Sequence, residues 1–431
     1  MLFYSTNNKA PKVPLKNAVL QSLPPDNGLY MPEVLSKLPE SFFENFYNYS
    51  FPEMCFQFAR TLMNGTIDDE ALKVIVYDAV NFESPLVQLD ENLSVLELFH
   101  GPSLAFKDFG ARFMSRLMSH LVKENNNQLD ILVATSGDTG GAVALGFYKS
   151  ENIRVTILYP SGKVSKLQEK QLTTLGHNIR AIEVNGTFDD CQSLVKQAFL
   201  DKELNEKLTL SSANSINIAR LIPQAFYYLR ALQLVKDKSR SVAMCVPSGN
   251  FGNITAGIIA KKMGMKMAHF VAATNANNVF TKYLKTGSYD PQPSVATWSN
   301  AMDVGNPSNF KRLMDLFDND VEQVKELITS YSFNDEETLV ALKEINDKYN
   351  YVACPHTAVA YLGMKQFLKK NPDYQGIFQA TAHPSKFIDI VEKTLGKSVE
   401  IPETLSVLMD KEKQATFMAV DFKKFKEYLL E

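Results

Sequence analysis

The sequence predicts an α/β protein built on open, mainly parallel sheets flanked by helices, with a small lobe at its N-terminal end. From about residue 129 onward, short apolar, β-branched runs recur at Ile131 to Ala134, Arg154 to Tyr159, Ala181 to Val184, Ser241 to Val246, His269 to Ala273 and Ile377 to Gln379. Each is shorter than a helix and ends at a Gly, Pro or Asn signal, as strands buried on both faces do. Between them, Asp189 to Leu200, Ile216 to Val235, Val321 to Tyr331, Glu336 to Tyr349 and Thr357 to Lys369 repeat apolar residues at three- and four-residue spacing, which predicts helices. Strand, helix and strand in this order imply parallel pairing with right-handed crossovers.

The first 85 residues read differently. Prolines at 11, 14, 24, 25, 32, 39 and 52 punctuate aromatic-rich pieces such as SFFENFYNYSFPEMCFQFAR, which predicts a separate, mainly helical lobe over 1–85, ending near Ser84-Pro85. The α/β core is expected over 86–395. A packing segment is expected over 396–431, opening with the turn Ile401-Pro402-Glu403 and closing with an amphipathic KKFKEYLL helix.

With 431 residues, 45 Lys+Arg against 48 Asp+Glu and a net charge of −3, the chain has no basic stripe or charged tail to bring it to nucleic acid or an anionic membrane. No apolar run approaches the roughly 18 residues of a spanning helix, and MLFYSTNNKAPKV lacks the pattern of a secretory leader. Cys55, Cys191, Cys245 and Cys354 are too scattered for a C-x-x-C pair and too few for a disulfide framework, so reduced thiols and a cytoplasmic setting are expected. There is no internal repeat. His120, His177, His269 and His356 show no metal-ligand spacing and read as structural, and no metal is expected.

Ligands of open α/β sheets bind beyond the carboxyl ends of the strands. Two strand-to-helix junctions there are rich in small and hydroxylic residues: Thr135-Ser136-Gly137-Asp138-Thr139-Gly140-Gly141 and Pro247-Ser248-Gly249-Asn250-Phe251-Gly252-Asn253. Each reads as an anion cradle at a helix N-terminus and equally as ordinary turn and cap chemistry. Neither has the lysine of a Walker loop or the spacing of a dinucleotide site.

A third segment runs from His100 through Gly101-Pro102-Ser103-Leu104-Ala105-Phe106-Lys107-Asp108-Phe109 to Phe113. Phe109, Phe113, Leu117 and Leu121 fall on one face beside Met114 and Met118, which predicts a helix with Ser103 as its N-cap. Lys107 then lies in the first turn among aromatic rings, where a cation is disfavoured, so its neutral amine is promoted for Schiff-base chemistry. A lysine snorkelling from an aromatic stripe has the same spacing.

Five ordered motifs, H-G-P-S-L-A-F-K-D-F-G, T-S-G-D-T-G, S-A-N-S-I-N-I-A-R, P-S-G-N-F-G-N and T-A-H-P-S-K-F, resemble those of the threonine synthase family. The resemblance covers essentially the whole chain, including S-N-A-M-D-V at 299–304. It implies a two-lobed pyridoxal-phosphate enzyme of fold type II, a carbon–oxygen lyase converting O-phospho-L-homoserine and water into L-threonine and phosphate in the last step of threonine biosynthesis, as a monomer or homodimer. It implies that Lys107 carries pyridoxal 5'-phosphate, that Gly249, Asn250, Phe251, Gly252 and Asn253 cradle the cofactor phosphate, and that the Thr381 hydroxyl faces the pyridine nitrogen.

The substrate phosphate then requires its own site. Ser136, Thr139, Asn214, Ser215 and Arg220 are candidates, because T-S-G-D-T-G opens a helix and Arg220 offers a bidentate fork; Ser215 as an N-cap and Arg220 on a solvated helix face are the other readings. Many fold type II relatives have asparagine where Asp138 stands. An ionised Asp138 would repel the cofactor's phenolate, so this residue is expected either to carry a proton or to point elsewhere. A related lyase giving 2-oxobutyrate and ammonia, or a non-catalytic homologue, would share much of this scaffold.

Overall fold

A computed structural model describes residues 1–123 and 128–431. Their strands are β1 (Leu2–Ser5), β2 (Val13–Pro14), β3 (Tyr30–Pro32), β4 (Leu86–Asp90), β5 (Leu93–Glu97), β6 (Leu129–Ala134), β7 (Ile153–Pro160), β8 (Ile179–Asn185), β9 (Thr209–Ser212), β10 (Val242–Pro247), β11 (His269–Thr274), β12 (Ile328–Ser332), β13 (Gln375–Ala380) and β14 (Thr416–Ala419). They form a small sheet β2-β1-β3, a six-stranded sheet β12-β11-β10-β13-β5-β4 and a five-stranded sheet β14-β8-β7-β6-β9. The five-stranded sheet is parallel throughout. The six-stranded sheet is parallel except for the β4–β5 pair at its edge. β6 and β10 are buried along their whole length, which is why their sequences read as unbroken apolar runs.

The chain passes twice between the two large sheets. It starts the six-stranded sheet with β4 and β5, crosses through the helix Lys107–Lys123 to build β6 to β9, and returns for β10 to β13. The tail crosses back and adds β14 to the edge of β8. The helix Phe422–Leu430 follows, burying Phe425 and Leu429 against that sheet. Phe109, Phe113, Met114, Leu117, Met118 and Leu121 are buried on the crossing helix, as their spacing predicts.

Several local expectations are corrected. Ile216 to Val235 is not one helix: it is Ile218–Leu221, a 3₁₀ turn Ile222–Ala225 and Phe226–Leu234, because Pro223 lacks the N–H that continues the ladder. The helix from Val321 stops at Leu327, and Ile328 to Tyr331 instead pair with β11 as β12. There the β-branched and aromatic side chains satisfy an available sheet edge, and tertiary pairing overrides helical spacing. The first lobe is mainly helical, as expected, and beside the helices Phe51–Met63 and Asp69–Ala79 it also carries the short antiparallel sheet β1 to β3. Ser103 does not cap the crossing helix; it lies four residues before the helix begins, and its amide donates to the Asp108 carboxylate at 2.9 Å. Among the described residues no helix is long and apolar enough to cross a membrane.

Arg312 ties the first lobe to the site. Its fully buried guanidinium donates to the Tyr30 carbonyl at 3.0 and 3.2 Å, to the Ile216 carbonyl at 2.7 Å, to the Ser215 carbonyl at 3.2 Å and to Asn309 Oδ1 at 2.9 Å. Replacing it orphans several buried acceptors at once. Arg312→Met is expected to cost about 3 kcal/mol, read as a lower urea midpoint; an unchanged midpoint would show that the lobe is held by apolar packing alone.

Candidate active site

Four segments converge at the carboxyl ends of the strands: the start of the crossing helix, the loop after β6, the loop after β10 and the residue after β13. They enclose a cavity of about 1140 Å³. Lining it are Lys107, Ser136, Thr139, Asn214, Ser215, Arg220, Gly249, Asn250, Phe251, Gly252, Asn253 and Thr381, which are all the residues put forward from the sequence. Asp138 and His356 line it as well.

Lys107 is the first residue of its helix, with Nζ 5.3 Å from the centre of the Phe106 ring. Its approach is stitched to the strand end across the cleft. The Phe106 amide donates to the Thr381 carbonyl at 2.8 Å, Ala105 bridges Ala382, and the His383 amide donates to the Leu104 carbonyl at 3.0 Å. This short antiparallel pairing, joining residues far apart in sequence, sets Thr381 beside Lys107.

After β6, Gly137 takes φ +134°, a conformation only glycine adopts readily, and a Cβ there would meet the Gln168 side chain at 2.5 Å. The Thr135 hydroxyl accepts from the amides of Gly137 and Gly140 at 2.9 and 2.8 Å, shaping the turn from within. After β10, Phe251 sits in the left-handed region at φ +62° and leads into the helix Gly252–Lys262. The first amides of that helix have no acceptor within it. The asparagine side chains of this loop face the scaffold. Asn250 Nδ2 donates to Ser215 Oγ at 2.5 Å while its Oδ1 accepts from Ser308, and Asn253 Nδ2 donates to Gln379 at 2.7 Å while its Oδ1 accepts from Tyr228. The loop therefore offers the cavity backbone, and its side chains hold that backbone in place.

Arg220 is buried, which removes the solvated-face reading, and Ser215 is not a cap, since Asn217 caps the helix Ile218–Leu221. Arg220 Nη1 donates to the Ala213 carbonyl at 2.6 Å, and its buried Nε has no partner among the described residues. Asn214 Nδ2 donates to the Ala134 carbonyl at 3.0 Å. Ser215 Oγ accepts from Asn250, so its own proton stays available.

The charges explain the amine. Burial lowers the Lys107 pKa to about 8, with Asp138 opposing and Lys386 and Arg220 reinforcing the shift. Burial acts upward on Asp138, but Lys386, Lys107 and the Gln168 amide outweigh it and hold the carboxyl well below its usual range. Of the two expectations for Asp138, the proton is corrected: the residue lines the cleft, and its Oδ1 is held as a carboxylate by Lys386 Nζ at 2.8 Å and Gln168 Nε2 at 3.0 Å. Burial pushes the Asp108 carboxyl up to about 6 and the His356 imidazole down to about 4. His356 Nε2 accepts from the Ala301 amide at 3.1 Å. Spacing gave no sign that His356 and Lys386 belong here, because both arrive from separate elements.

Three family models match the chain. One described as threonine synthase N terminus matches residues 2–80, one described as pyridoxal-phosphate dependent enzyme matches 81–375, and one described as threonine synthase, C-terminal matches 357–429. The chain is 45% identical over 435 residues to threonine synthase of Haemophilus influenzae, with all of both chains covered. It belongs to the threonine synthase family. Against threonine synthase of Escherichia coli it is 41% identical over 411 residues, covering 95% of each chain. The crystal structure of the Escherichia coli enzyme superposes with a TM-score of 0.93 at 39% identity, over 100% of this chain and 99% of that one. A pyridoxal-phosphate-bound threonine synthase from Brucella melitensis gives 0.94 at 32% identity, over the same shares.

The cleft fits the cofactor of this threonine synthase family. A Cβ at Gly249 would meet Met302 Cα at 2.7 Å and the Ala301 carbonyl oxygen at 3.0 Å, so glycine there lets the loop pack directly on that backbone and fixes where its amides stand. The Lys107 amine and the Thr381 hydroxyl line the same cavity. Gly249→Ala is expected to shift this loop at a cost of about 1–3 kcal/mol, weakening pyridoxal phosphate tenfold or more. Absorbance titration of the full chain reads this, and unchanged affinity would remove the loop as the cradle.

Proposed function

We propose that this chain converts O-phospho-L-homoserine and water into L-threonine and phosphate, with Lys107 as its catalytic residue. The observation that carries the reading is the Lys107 amine, stripped of water and facing a cleft into which two helix N-termini open. With a pKa of about 8, about a tenth of it is neutral at pH 7, against roughly one part in 3000 for an ordinary lysine.

The cofactor, when bound, supplies an electron sink that acidifies the substrate's Cα and Cβ protons. The backbone amides of Gly249 to Asn253 would hold its phosphate, the Thr381 hydroxyl would face its ring nitrogen, and Lys107 would hold its aldehyde carbon. A hydroxyl at that nitrogen, instead of a carboxylate, leaves the ring uncharged, so protein groups must direct which bond breaks. Lys107 Nζ takes the Cα proton and then a Cβ proton, phosphate leaves Cγ, Lys107 returns a proton to Cγ, water gives its hydroxyl to Cβ and its proton to the departing phosphate, and Lys107 returns a proton to Cα. One base serving several atoms must be uncharged and short of competing water, and the Phe106 and Phe251 rings in the lining support that.

Ser136, Thr139, Asn214, Ser215 and Arg220 form the proposed seat of the substrate phosphate. The strongest support is Arg220, a buried residue that lines the cavity and whose guanidinium has the Ala213 carbonyl as its hydrogen-bond acceptor among the described residues. The four buried, unbridged cysteines support a cytoplasmic setting.

Cofactor-loaded protein incubated with O-phosphohomoserine is expected to release threonine and phosphate in equal amounts, with little 2-oxobutyrate. Lys107→Ala is expected to lose both the yellow colour of the loaded protein and all threonine formation. Dominant 2-oxobutyrate would favour the related lyase, and turnover retained by Lys107→Ala would remove the assigned base.

A further inference from the structure

A second lysine reaches this site without lining its cavity. Lys386 is 1% exposed and sits in the turn Pro384–Phe387, directly after the Thr381 segment. Its Nζ lies 2.8 Å from Asp138 Oδ1 and donates to the Ser103 carbonyl at 2.9 Å. Ser103 opens the approach to Lys107, so one ammonium joins that approach to the loop after β6. Gln168 Nε2 donates to the same oxygen, Asp138 Oδ1, at 3.0 Å.

The groups facing Lys107 come from every element around it. Asp108 is on its own helix, Asp138 on the helix after β6, Arg220 on the helix Ile218–Leu221, His356 on the helix Pro355–Lys370 and Lys386 on the turn. Of these, Asp138 is the carboxylate in hydrogen-bond contact with a lysine. In a buried site the ammonium in contact with the carboxylate keeps its proton, and a second cation nearby is disfavoured.

We propose that Lys386 is a positioning residue for Lys107: by holding Asp138 Oδ1, it weakens Asp138 as a counter-ion to Lys107 and leaves more of that amine free to react. The inference rests on Lys107 being the amine that takes the cofactor. Without Lys386, Asp138 turns to Lys107 as its counter-ion and a neighbouring cation is lost; both changes keep a proton on Lys107. Without Asp138, the change has the opposite sign.

The test uses the full-length chain freed of cofactor, with pyridoxal phosphate as the probe. Its uptake rate follows the neutral fraction of Lys107, so the rate against pH has a midpoint expected near 8 in the native chain. Lys386→Met is expected to move that midpoint up by at least one unit, slowing uptake ~10-fold at neutral pH. Lys386→Arg is expected to keep the native midpoint, Asp138→Asn to lower it, and the double replacement Asp138→Asn with Lys386→Met to return it towards the native value. Circular dichroism reports which variants fold; if Lys386→Met does not, Asp138→Asn and the native profile decide. Lys107→Ala must abolish uptake; if it does not, the assignment of Lys107 fails, whatever the other variants do. With that control met, an unshifted Lys386→Met, an upward shift in Asp138→Asn, or a native midpoint near the ordinary lysine value of 10.5 overturns the role of Lys386.

Discussion

The site depends on how charge is shared among a few buried groups. An amine that is to act as base and nucleophile must be neutral, yet the same cleft has to attract two phosphates. Positive charge placed at random would serve the phosphates and burden nothing but the amine with repulsion; negative charge placed to offset it would return the proton to the amine. The arrangement around Lys107 separates these demands. Burial lowers its pKa to about 8, Arg220 stands as a cation with an unpaired Nε, and Asp138 is engaged by Lys386 and Gln168. The remaining attraction for phosphate comes from backbone amides at helix N-termini, which carry partial charge and cannot exchange protons.

The fold makes this sharing possible by bringing strand ends from two sheets to one cleft. Lys107 stands where the chain leaves the six-stranded sheet, the loop after β6 belongs to the five-stranded sheet, and the loop after β10 and Thr381 belong to the six-stranded sheet again. The polar groups that position these segments are mostly buried and point away from the cleft. Asn250 spends its side chain on Ser215 and Ser308, Asn253 on Gln379 of β13 and Tyr228 of the helix Phe226–Leu234, and Arg312 spends its guanidinium on carbonyls from the first lobe and from Ser215. The site is thus held by hydrogen bonds made behind it, which leaves the lining free for ligand.

Much of the α/β core was legible because a strand buried on both faces has to be apolar along its length, as β6 and β10 are. The elements that were misread are those whose state is set by a partner. Ile328 to Tyr331 has helical spacing behind it and becomes a strand because β11 offers an edge. β14 is a strand because β8 would otherwise be left open, and β1 to β3 are too short to show an alternation of their own. Ser103 looked like a cap because of its residue type, but the helix starts only at Lys107, so no first-turn amide reaches its hydroxyl.

The sequence's own chemistry singled out Lys107 in an aromatic first turn and the two glycine loops where a strand becomes a helix, while the resemblance to the family supplied the Thr381 hydroxyl and, through the substrate it implies, the phosphate candidates. Only the tertiary structure decided the electrostatics. Asp138 could not be assigned a charge without Lys386, which lies 248 residues further along the chain. His356 could not be placed in the cleft without the helix that carries it there. The physical reason is that a motif sets the shape and donors of a loop through neighbouring bonds, whereas the protonation of a buried group is set by every charge within a few ångströms, whatever its position in the chain.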